Sequence, residues 1–304
     1  MRPHHEAIRP TTIIEAPRLS KRLGAQVVIA SETFQWTGSF KFRAAYNVAL
    51  NVPNEHIIGA SSGNFGQALA YACQLTGKRC TVVMPDNSAQ VKVEAVREYG
   101  ATVDLINVRE VSRSERVRQL AAESGDAYVA SGYDDPLVIE GNASLGKELL
   151  ALGRRLDAII VPVGGGGLLG GIAQSVTQAA GETKVFGAEP ALANDAARSL
   201  REGRIIVNEQ EPQTIADGAR TVSLGQHNWA IIRKQVAGIV EVSEEQIREG
   251  VRLLYSLANL KVEPTGALAI GALLAAPDLF RAQQVCCVVS GGNVDAVVYR
   301  QCIE

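Results

Sequence analysis

Four consecutive glycines, Gly164 to Gly167, separate an apolar segment from a helical one in the middle of the chain. Residues 157–163 (DAIIVPV) are apolar and β-branched, which is typical of a buried parallel strand. Residues 168–180 have helical spacing and contain no proline. A strand, a glycine loop and a helix in this order offer backbone N–H groups and a positive helix end to an anion. The pattern predicts a phosphate-binding loop, with an ordinary tight turn as the alternative.

Short apolar strands alternate with helical patterns along the chain. The predicted strands are Gln26–Ala30, His56–Ala60, Arg79–Met84, Thr102–Ile106, Ala127–Ala130, Ala158–Val163, Lys184–Ala188, Ile239–Val242 and Val285–Ser290. The predicted helices are Phe42–Leu50, Gly66–Leu75, Ser88–Tyr99, Ser112–Ser124, Glu140–Leu152, Leu168–Ala180, Asn194–Glu202, Glu244–Asn259 and Gly266–Ala275. Alternation on this scale indicates an α/β fold with parallel sheets.

The composition is that of an ordinary globular enzyme and excludes several function classes. The 304 residues include 30 basic and 32 acidic side chains, a balance without the positive charge that nucleic acids or anionic membranes attract. No apolar stretch has membrane-spanning length, and the first residues do not form a signal peptide, so we expect a cytoplasmic protein. Five cysteines are too few for a disulfide scaffold and match no zinc motif, so we expect buried reduced thiols.

A lysine between two aromatic residues is the first candidate catalytic group. Lys41 lies between Phe40 and Phe42 at the predicted start of a helix. A desolvated lysine amine is suited to forming a Schiff base, although a lysine extending from the surface of an amphipathic helix is the commoner occurrence.

Two further loops follow apolar strands. Ser61, Ser62 and Asn64 precede a predicted helix, where hydroxyl, amide and backbone N–H groups can bind a carboxylate. Ser290 ends the last apolar run, at the strand end where parallel sheets bind ligands. An ordinary helix cap or turn is the alternative in each case.

Glu189 and Asp195 form a fourth candidate. Glu189 ends a predicted strand and Asp195 lies six residues further on. Two carboxylates and a backbone carbonyl suit a hard cation, while solvated surface charge is the alternative.

Taken together, these loops resemble the pyridoxal-phosphate enzymes of fold type II, the group of serine/threonine dehydratases and serine racemases. The matching segments occur in the family's order over nearly the whole chain: TGSFKFR (37–43), SSGN (61–64), GGGGLLGG (164–171), TIADG (214–218), EPTGA (263–267) and SGGNVD (290–295). The resemblance implies an α/β protein with two parallel-rich open sheets, like the tryptophan synthase β chain. It also implies a large domain of residues 1–52 and 135–304, a small domain of residues 53–134, a site between them, and a homodimer.

The resemblance also implies residue roles. Lys41 would bind pyridoxal phosphate covalently and later move the substrate's α-proton, and Ser62 would be the second proton donor of a racemase. The other cofactor-binding residues would be Phe40 against the ring, Asn64 at the 3-hydroxyl, Ser290 at the ring nitrogen, Glu263, and the phosphate loop Gly164, Gly165, Gly166, Gly167 and Leu168. The substrate-binding residues would be Ser61, Ser62, Gly63, Asn64 and Phe65. The ligands of Mg²⁺ or Ca²⁺ would be Glu189, the carbonyl of Ala193, and Asp195.

The predicted reaction is dehydration and deamination of a β-hydroxy α-amino acid, such as L-threonine or L-serine, to a 2-oxo acid and ammonia. Phe65 stands where the family usually has histidine, and Ala44 replaces a usual glycine. These two departures leave the identity of the substrate open.

Three alternatives remain. One is an amino-acid racemase. Another is a dinucleotide-dependent oxidoreductase, because Gly165, Gly167 and Gly170 satisfy the glycine fingerprint and Glu189 follows about 20 residues on. The third is a binding protein that kept the fold without catalysis.

Overall fold

The computed structural model describes residues 7–88, 90–179 and 181–304. The chain forms two compact units, one built from the residues through Phe40 together with Asn142–Glu304, the other from Lys41–Gly141. We call them the large unit and the small unit.

The large unit is built on a six-stranded sheet. The strands are β1 Thr12–Glu15, β2 Gln26–Ser31, β7 Ala158–Pro162, β8 Lys184–Pro190, β9 Gly238–Val242 and β10 Gln284–Val289. Their order across the sheet is β1-β2-β10-β7-β8-β9. All neighbours pair in parallel except β1, which runs antiparallel to β2. The buried strands β7 and β10 are continuous runs of apolar residues, as expected where helices cover both faces of a parallel sheet.

Helices cover the large sheet on both sides. They are α1 Pro17–Leu23, α6 Pro136–Leu150 (whose first residues belong to the small unit), α7 Gly167–Gln178, α8 Asp195–Glu202, α9 Gln226–Gln235, α10 Glu244–Ala258, α11 Leu268–Ala275, α12 Pro277–Phe280 and α13 Ala296–Ile303. Two apolar clusters form the core, one with α10 and α11 and the other with α7 and α9. Ser243 and Gln246 form a capping box that begins α10.

The small unit is built on a four-stranded parallel sheet. Its strands are β3 His56–Ala60, β4 Arg79–Pro85, β5 Thr102–Ile106 and β6 Ala127–Ala130, and its helices are α2 Lys41–Asn51, α3 Asn64–Thr76, α4 Gln90–Glu98 and α5 Arg113–Ser124. The strand order is β5-β4-β3-β6. Helix α2 belongs to this unit because it packs on α3. The first turns of α6 belong to it because a Cβ at Gly141 would lie 2.6 Å from the carbonyl oxygen of Arg43. The small unit is therefore wider than the 53–134 range that the resemblance implies.

The predicted α/β class with two parallel-rich sheets is confirmed. All five cysteines are free and buried, as expected. The sequence analysis missed the edge strand β1 and the helices α1, α9, α12 and α13. Strand β1 is short, partly exposed and bounded by Pro10 and Pro17, so it lacks the apolar run that identified the other strands.

A histidine links three elements of the small unit. The ring of His56 on β3 makes hydrogen bonds to the hydroxyls of Ser124 (Nδ1, 2.9 Å) and Thr81 (Nε2, 2.9 Å). Burial lowers the pKa of His56 below its ordinary 6.5, and nearby Arg79 lowers it further, while Asp126 opposes them. The folded protein therefore favours neutral His56.

We expect the free energy of unfolding to decrease as the pH falls below about 6.5, because the unfolded chain then binds a proton that folded His56 resists. Urea unfolding at pH 7.5, 6.5 and 5.5 measures this. The decrease in the free energy of unfolding between pH 7.5 and pH 5.5 should be smaller in His56→Gln than in wild type. It should be unchanged in His227→Gln, which alters an exposed histidine of α9. Equal decreases in wild type and His56→Gln would contradict the assignment.

Candidate active site

The glycine loop follows β7 and leads into α7. Gly166 is the residue before the helix and has φ of 90°, which favours glycine, and no side chain caps the first N–H groups of α7. The carbonyl of Gly165 accepts hydrogen bonds from Gly225 N (3.1 Å) and Asn228 Nδ2 (2.6 Å). The loop is thus held through its carbonyl, while the helix start offers N–H groups to an anion.

The segment 214–221 packs against this loop. A Cβ at Gly164 would lie 3.0 Å from the carbonyl oxygen of Gly218, and Gly218 N donates to Thr265 Oγ1 at 3.0 Å. The hydroxyl of Thr221 is buried without a hydrogen-bond partner, 3.7 Å from that same Cβ position. A buried hydroxyl with no partner is costly, so the loop fits a ligand that would accept from it.

Ser290 follows β10 at the carboxyl end of the large sheet. Its hydroxyl is buried and makes no hydrogen bond. Glu263 is also buried, and a Cβ at Gly291 would lie 2.8 Å from Glu263 Oε1. Phe40 is partly buried against the apolar cluster that contains α7 and α9. The structure therefore offers an unsatisfied hydroxyl at the position predicted for the ring nitrogen.

In the small unit, the amine of Lys41 has two defined neighbours. Nζ donates to the carbonyl oxygen of Gly132 at 2.6 Å, and it lies 5.8 Å from the centre of the Phe65 ring. Phe65 is buried, and its ring also lies 3.5 Å from the Cβ position of Gly132. The amine is thus held between a carbonyl dipole and an aromatic face.

The predicted substrate loop, residues 61–65, consists of the turn after β3 and the first two residues of α3. Ser61 Oγ accepts from Gly63 N at 3.2 Å, and α3 begins after Gly63 without a side-chain cap. A Cβ at Gly66 would lie 2.6 Å from the carbonyl oxygen of Ser61, so this tight turn requires glycine. Ser62 lies in the turn, and Asn64 is the first residue of the helix. The arrangement presents N–H groups of a thirteen-residue helix, which suits a carboxylate.

Glu189 and Asp195 are both buried at the carboxyl end of β8. The Glu189 carboxylate accepts from Ala196 N and Ala197 N at 2.9 Å each, and Asp195 Oδ1 accepts from Asn208 Nδ2 at 3.0 Å. Asp195 Oδ2 is buried without a partner. Burial raises the pKa of Asp195 to about 7 and, together with the Asp195 charge, raises the pKa of Glu189 well above its ordinary value.

The sequence analysis missed two of these groups. Gly132 was missed because its functional atom is a backbone carbonyl; its only signal is its position after β6. The Gly132 loop is fixed by Ser131 Oγ, which accepts from Asp134 N at 2.9 Å, and by Asp135, which accepts from Tyr128 OH and from Leu137 N. Thr221 was missed because nothing near it in the sequence marks it as close to the glycine loop.

Comparisons with known proteins assign the chain to a family. The family model for pyridoxal-phosphate dependent enzymes matches residues 5–291. An L-threo-3-hydroxyaspartate ammonia-lyase of Saccharomyces cerevisiae is 40% identical over 98% of this chain and 92% of its own. Serine racemase of Homo sapiens is 34% identical over 95% of this chain and 88% of its own. The crystal structure of a T.th. threonine deaminase has a TM-score of 0.90 and 41% identity, covering 95% of this chain and 94% of that one.

The chain belongs to the family of pyridoxal-phosphate dependent enzymes, in the fold type II class. It is a pyridoxal-phosphate dependent ammonia-lyase that acts by β-elimination on hydroxy amino acids. The family assignment replaces the alternative of a dinucleotide-dependent oxidoreductase. In that alternative Glu189 would bind a ribose, whereas in the structure its carboxylate accepts two backbone N–H groups. Within the residues that the structure describes, every helix is too short or too polar to cross a membrane.

The residues present fit the cofactor. An uncapped glycine loop suits its phosphate, the unsatisfied Ser290 hydroxyl suits its ring nitrogen, and Lys41 supplies an amine. The individual roles stay predictions.

We expect Gly164→Ala to weaken pyridoxal-phosphate binding by about tenfold or more, because the added Cβ meets the Gly218 backbone and displaces the loop. Titration of cofactor-free protein, followed by absorbance, measures this. Gly170→Ala is the matched control, since its Cβ has only ordinary contacts from 3.7 Å outward. Equal affinities of the two variants would argue against phosphate binding by this loop.

Proposed function

We propose that the enzyme converts L-threo-3-hydroxyaspartate to a 2-oxo dicarboxylic acid and ammonia. The observation that carries this substrate is the 40% identity, over nearly the full length of both chains, to a relative named for that reaction. Two further relatives named for hydroxyaspartate, an ammonia-lyase and a dehydratase, are 39% and 35% identical. The relative named serine racemase is less similar, at 34%, whereas the T.th. threonine deaminase is as similar, at 41%, so L-threonine is the competing substrate in the test below. The buried Phe65 beside the lysine amine, in place of the family's usual histidine, supports a substrate other than serine or threonine.

Bound pyridoxal phosphate supplies an electron-withdrawing ring that delocalises negative charge from the substrate's α-carbon. Lys41 would hold the cofactor through its amine, and the free amine would accept the α-proton. The Gly132 carbonyl, 2.6 Å from Nζ, offers the free amine a hydrogen-bond acceptor in the loop after β6. Lys41 thus acts as both anchor and base.

Residues of the large unit would determine how strongly the cofactor ring withdraws electrons. N–H groups of residues 164–168 would hold the phosphate, and the Ser290 hydroxyl would hydrogen-bond the ring nitrogen. A hydroxyl at that position would leave the ring nitrogen largely unprotonated, so the ring would withdraw electrons less strongly, which favours elimination. The buried, unpartnered hydroxyl of Ser290 supports this role.

The turn at residues 61–65 binds the α-carboxylate through N–H groups at the start of α3, with Ser61, Ser62 and Asn64 around it. The α-proton would go to Lys41, and the β-hydroxyl would leave as water with a proton from the cofactor phosphate or a water bound to it. Hydrolysis would then consume one water and release ammonia. The overall change is loss of ammonia from the hydroxy amino acid.

We expect kcat/KM to be at least about tenfold higher for L-threo-3-hydroxyaspartate than for L-serine or L-threonine, measured by ammonia release and 2-oxo acid formation. Lys41→Ala should abolish turnover and the absorbance of lysine-bound cofactor. Lys147→Ala, which alters an exposed lysine of α6, should behave as wild type.

A preference for serine or threonine would overturn the substrate, and turnover by Lys41→Ala would overturn the assigned base. Chiral chromatography of the remaining amino acid in the same incubations reports racemisation, the activity for which Ser62 stays the predicted second proton donor. The homodimer also stays a prediction.

We also propose that Glu189, Asp195 and the carbonyl of Ala193 bind Mg²⁺ or Ca²⁺. The support is the buried, unpartnered Oδ2 of Asp195 next to a second buried carboxylate. Oxygen ligands of this kind suit hard cations, which take further oxygens from water.

Chelation should lower the melting temperature by about 5 °C, and Mg²⁺ or Ca²⁺ should restore it, because a ligand at about a hundred times its Kd stabilises the folded state by about 2.7 kcal/mol. Differential scanning calorimetry measures the shift. Asp195→Asn should remove the response to the metal. A melting temperature indifferent to both chelator and metal would exclude a structural cation here.

A further inference from the structure

The residues that precede Lys41 are paired with the loop that follows β10. Ser39 and Gly291 form an isolated antiparallel bridge. Phe40 N donates to the carbonyl oxygen of Ser290 at 3.0 Å, and Gly292 N donates to the carbonyl oxygen of Gly38 at 3.0 Å. We call residues 37–40 the lead segment and residues 290–293 the clamp. Both lie in the large unit.

The lead segment begins with a strained residue. Thr37 has φ of 59° and ψ of 15°, in the left-handed region, and its β-branched side chain makes this conformation unfavourable by about 1–3 kcal/mol. Its hydroxyl is buried without a hydrogen-bond partner, so no contact of that hydroxyl compensates for the strain. Gly38 follows with φ of 73°, which costs a glycine little. Something outside Thr37 must therefore hold this turn.

The side chain of Asn293 supplies that restraint. Its Nδ2 donates to the carbonyl oxygen of Thr37 at 2.7 Å. Its Oδ1 occupies the position where a Cβ at Gly38 would stand, so the amide fills the space that only a glycine leaves open. The amide thus adds a third hydrogen bond to the two backbone bonds of the bridge.

We infer that Asn293 is a positioning residue, which holds Thr37 in its strained turn and thereby fixes the backbone from which Lys41 extends. This inference rests on the proposed function of Lys41. Lys41 is the next residue after Phe40, so the lead segment sets the position of the peptide unit at which the Lys41 backbone begins. A displacement of about 1 Å at a reacting group can cost about a hundredfold in rate.

The first test uses Asn293→Asp, which keeps the size of the side chain but replaces the N–H donor with a carboxylate oxygen facing the Thr37 carbonyl. We expect kcat to fall about tenfold, equivalent to about 1.4 kcal/mol, while KM changes less than threefold. Asn51→Asp is the matched control, because Asn51 Nδ2 also donates to a backbone carbonyl oxygen, that of Asn47, at 2.8 Å on an exposed surface. A kcat for Asn293→Asp within twofold of wild type would overturn the inference.

The second test exploits the strain. Glycine adopts the left-handed turn without the penalty that threonine carries, so the lead segment no longer depends on Asn293 in a Thr37→Gly background. Asn293→Asp should therefore lower kcat less than threefold in that background, against about tenfold in wild type. The same tenfold loss in both backgrounds would show that Asn293 acts by some route other than holding Thr37.

A third measurement does not depend on catalysis. Hydrogen exchange of the cofactor-free protein, read by mass spectrometry on peptides covering residues 34–46 and 286–296, should be faster in Asn293→Asp than in wild type and unchanged in Asn51→Asp. Unchanged exchange in Asn293→Asp would overturn the clamp. If wild type neither binds pyridoxal phosphate nor releases ammonia, the proposed function fails instead, while the exchange data still test the clamp.

Discussion

The position of β10 between β2 and β7 is the constraint on which the rest of the large unit depends. The parallel register joins Val289 to Ser31 on one side and Cys287 to Ile160 on the other. Because parallel strands bring their carboxyl ends to one edge, the loops after these three strands emerge side by side. One leads to Lys41, one is the glycine loop, and one carries Ser290 and the clamp. The register therefore brings the glycine loop, Ser290 and the residues that precede Lys41 to the same edge of the large sheet.

Backbone groups contribute as much to the candidate chemistry as side chains do. The helix starts at residues 64 and 167 carry no side-chain caps, and helix starts bind anions through backbone N–H groups. The carbonyl of Gly132 contacts the lysine amine, and the carbonyls of residues 37 and 38 accept the clamp's hydrogen bonds. Glycines at 66 and 164 allow these backbones to approach their neighbours. The candidate chemistry therefore depends on the backbone conformation as well as on the identity of the side chains.

Three buried oxygen atoms without hydrogen-bond partners lie close to the predicted ligand sites. The hydroxyls of Ser290 and Thr221 and the Oδ2 of Asp195 are buried without partners. Each lies where a different ligand is expected: the cofactor ring, its phosphate and a cation. Other buried polar atoms of the large unit, such as the Thr37 hydroxyl, also have no hydrogen-bond partner. These three oxygens therefore support the ligand sites only together with the geometry of the loops around them.

The sequence by itself determined the α/β class, most strands and helices, the glycine loop and the candidate lysine. Apolar runs, helical periodicity and consecutive glycines are local signals, and β-branched runs such as 158–161 leave little choice of structure. Edge strand β1 and helix α9 were not predicted because they contain few apolar residues, and helix α13 was not predicted because its eight residues are too few to show helical periodicity. Only the tertiary structure decided that Gly132 contacts Lys41, that Thr221 lies by the glycine loop, and that Asn293 holds Thr37 from 256 residues away. Each of these contacts joins a side chain to the backbone of a residue far away in the sequence, and no local pattern of residues encodes which carbonyl a folded chain brings to a given amine.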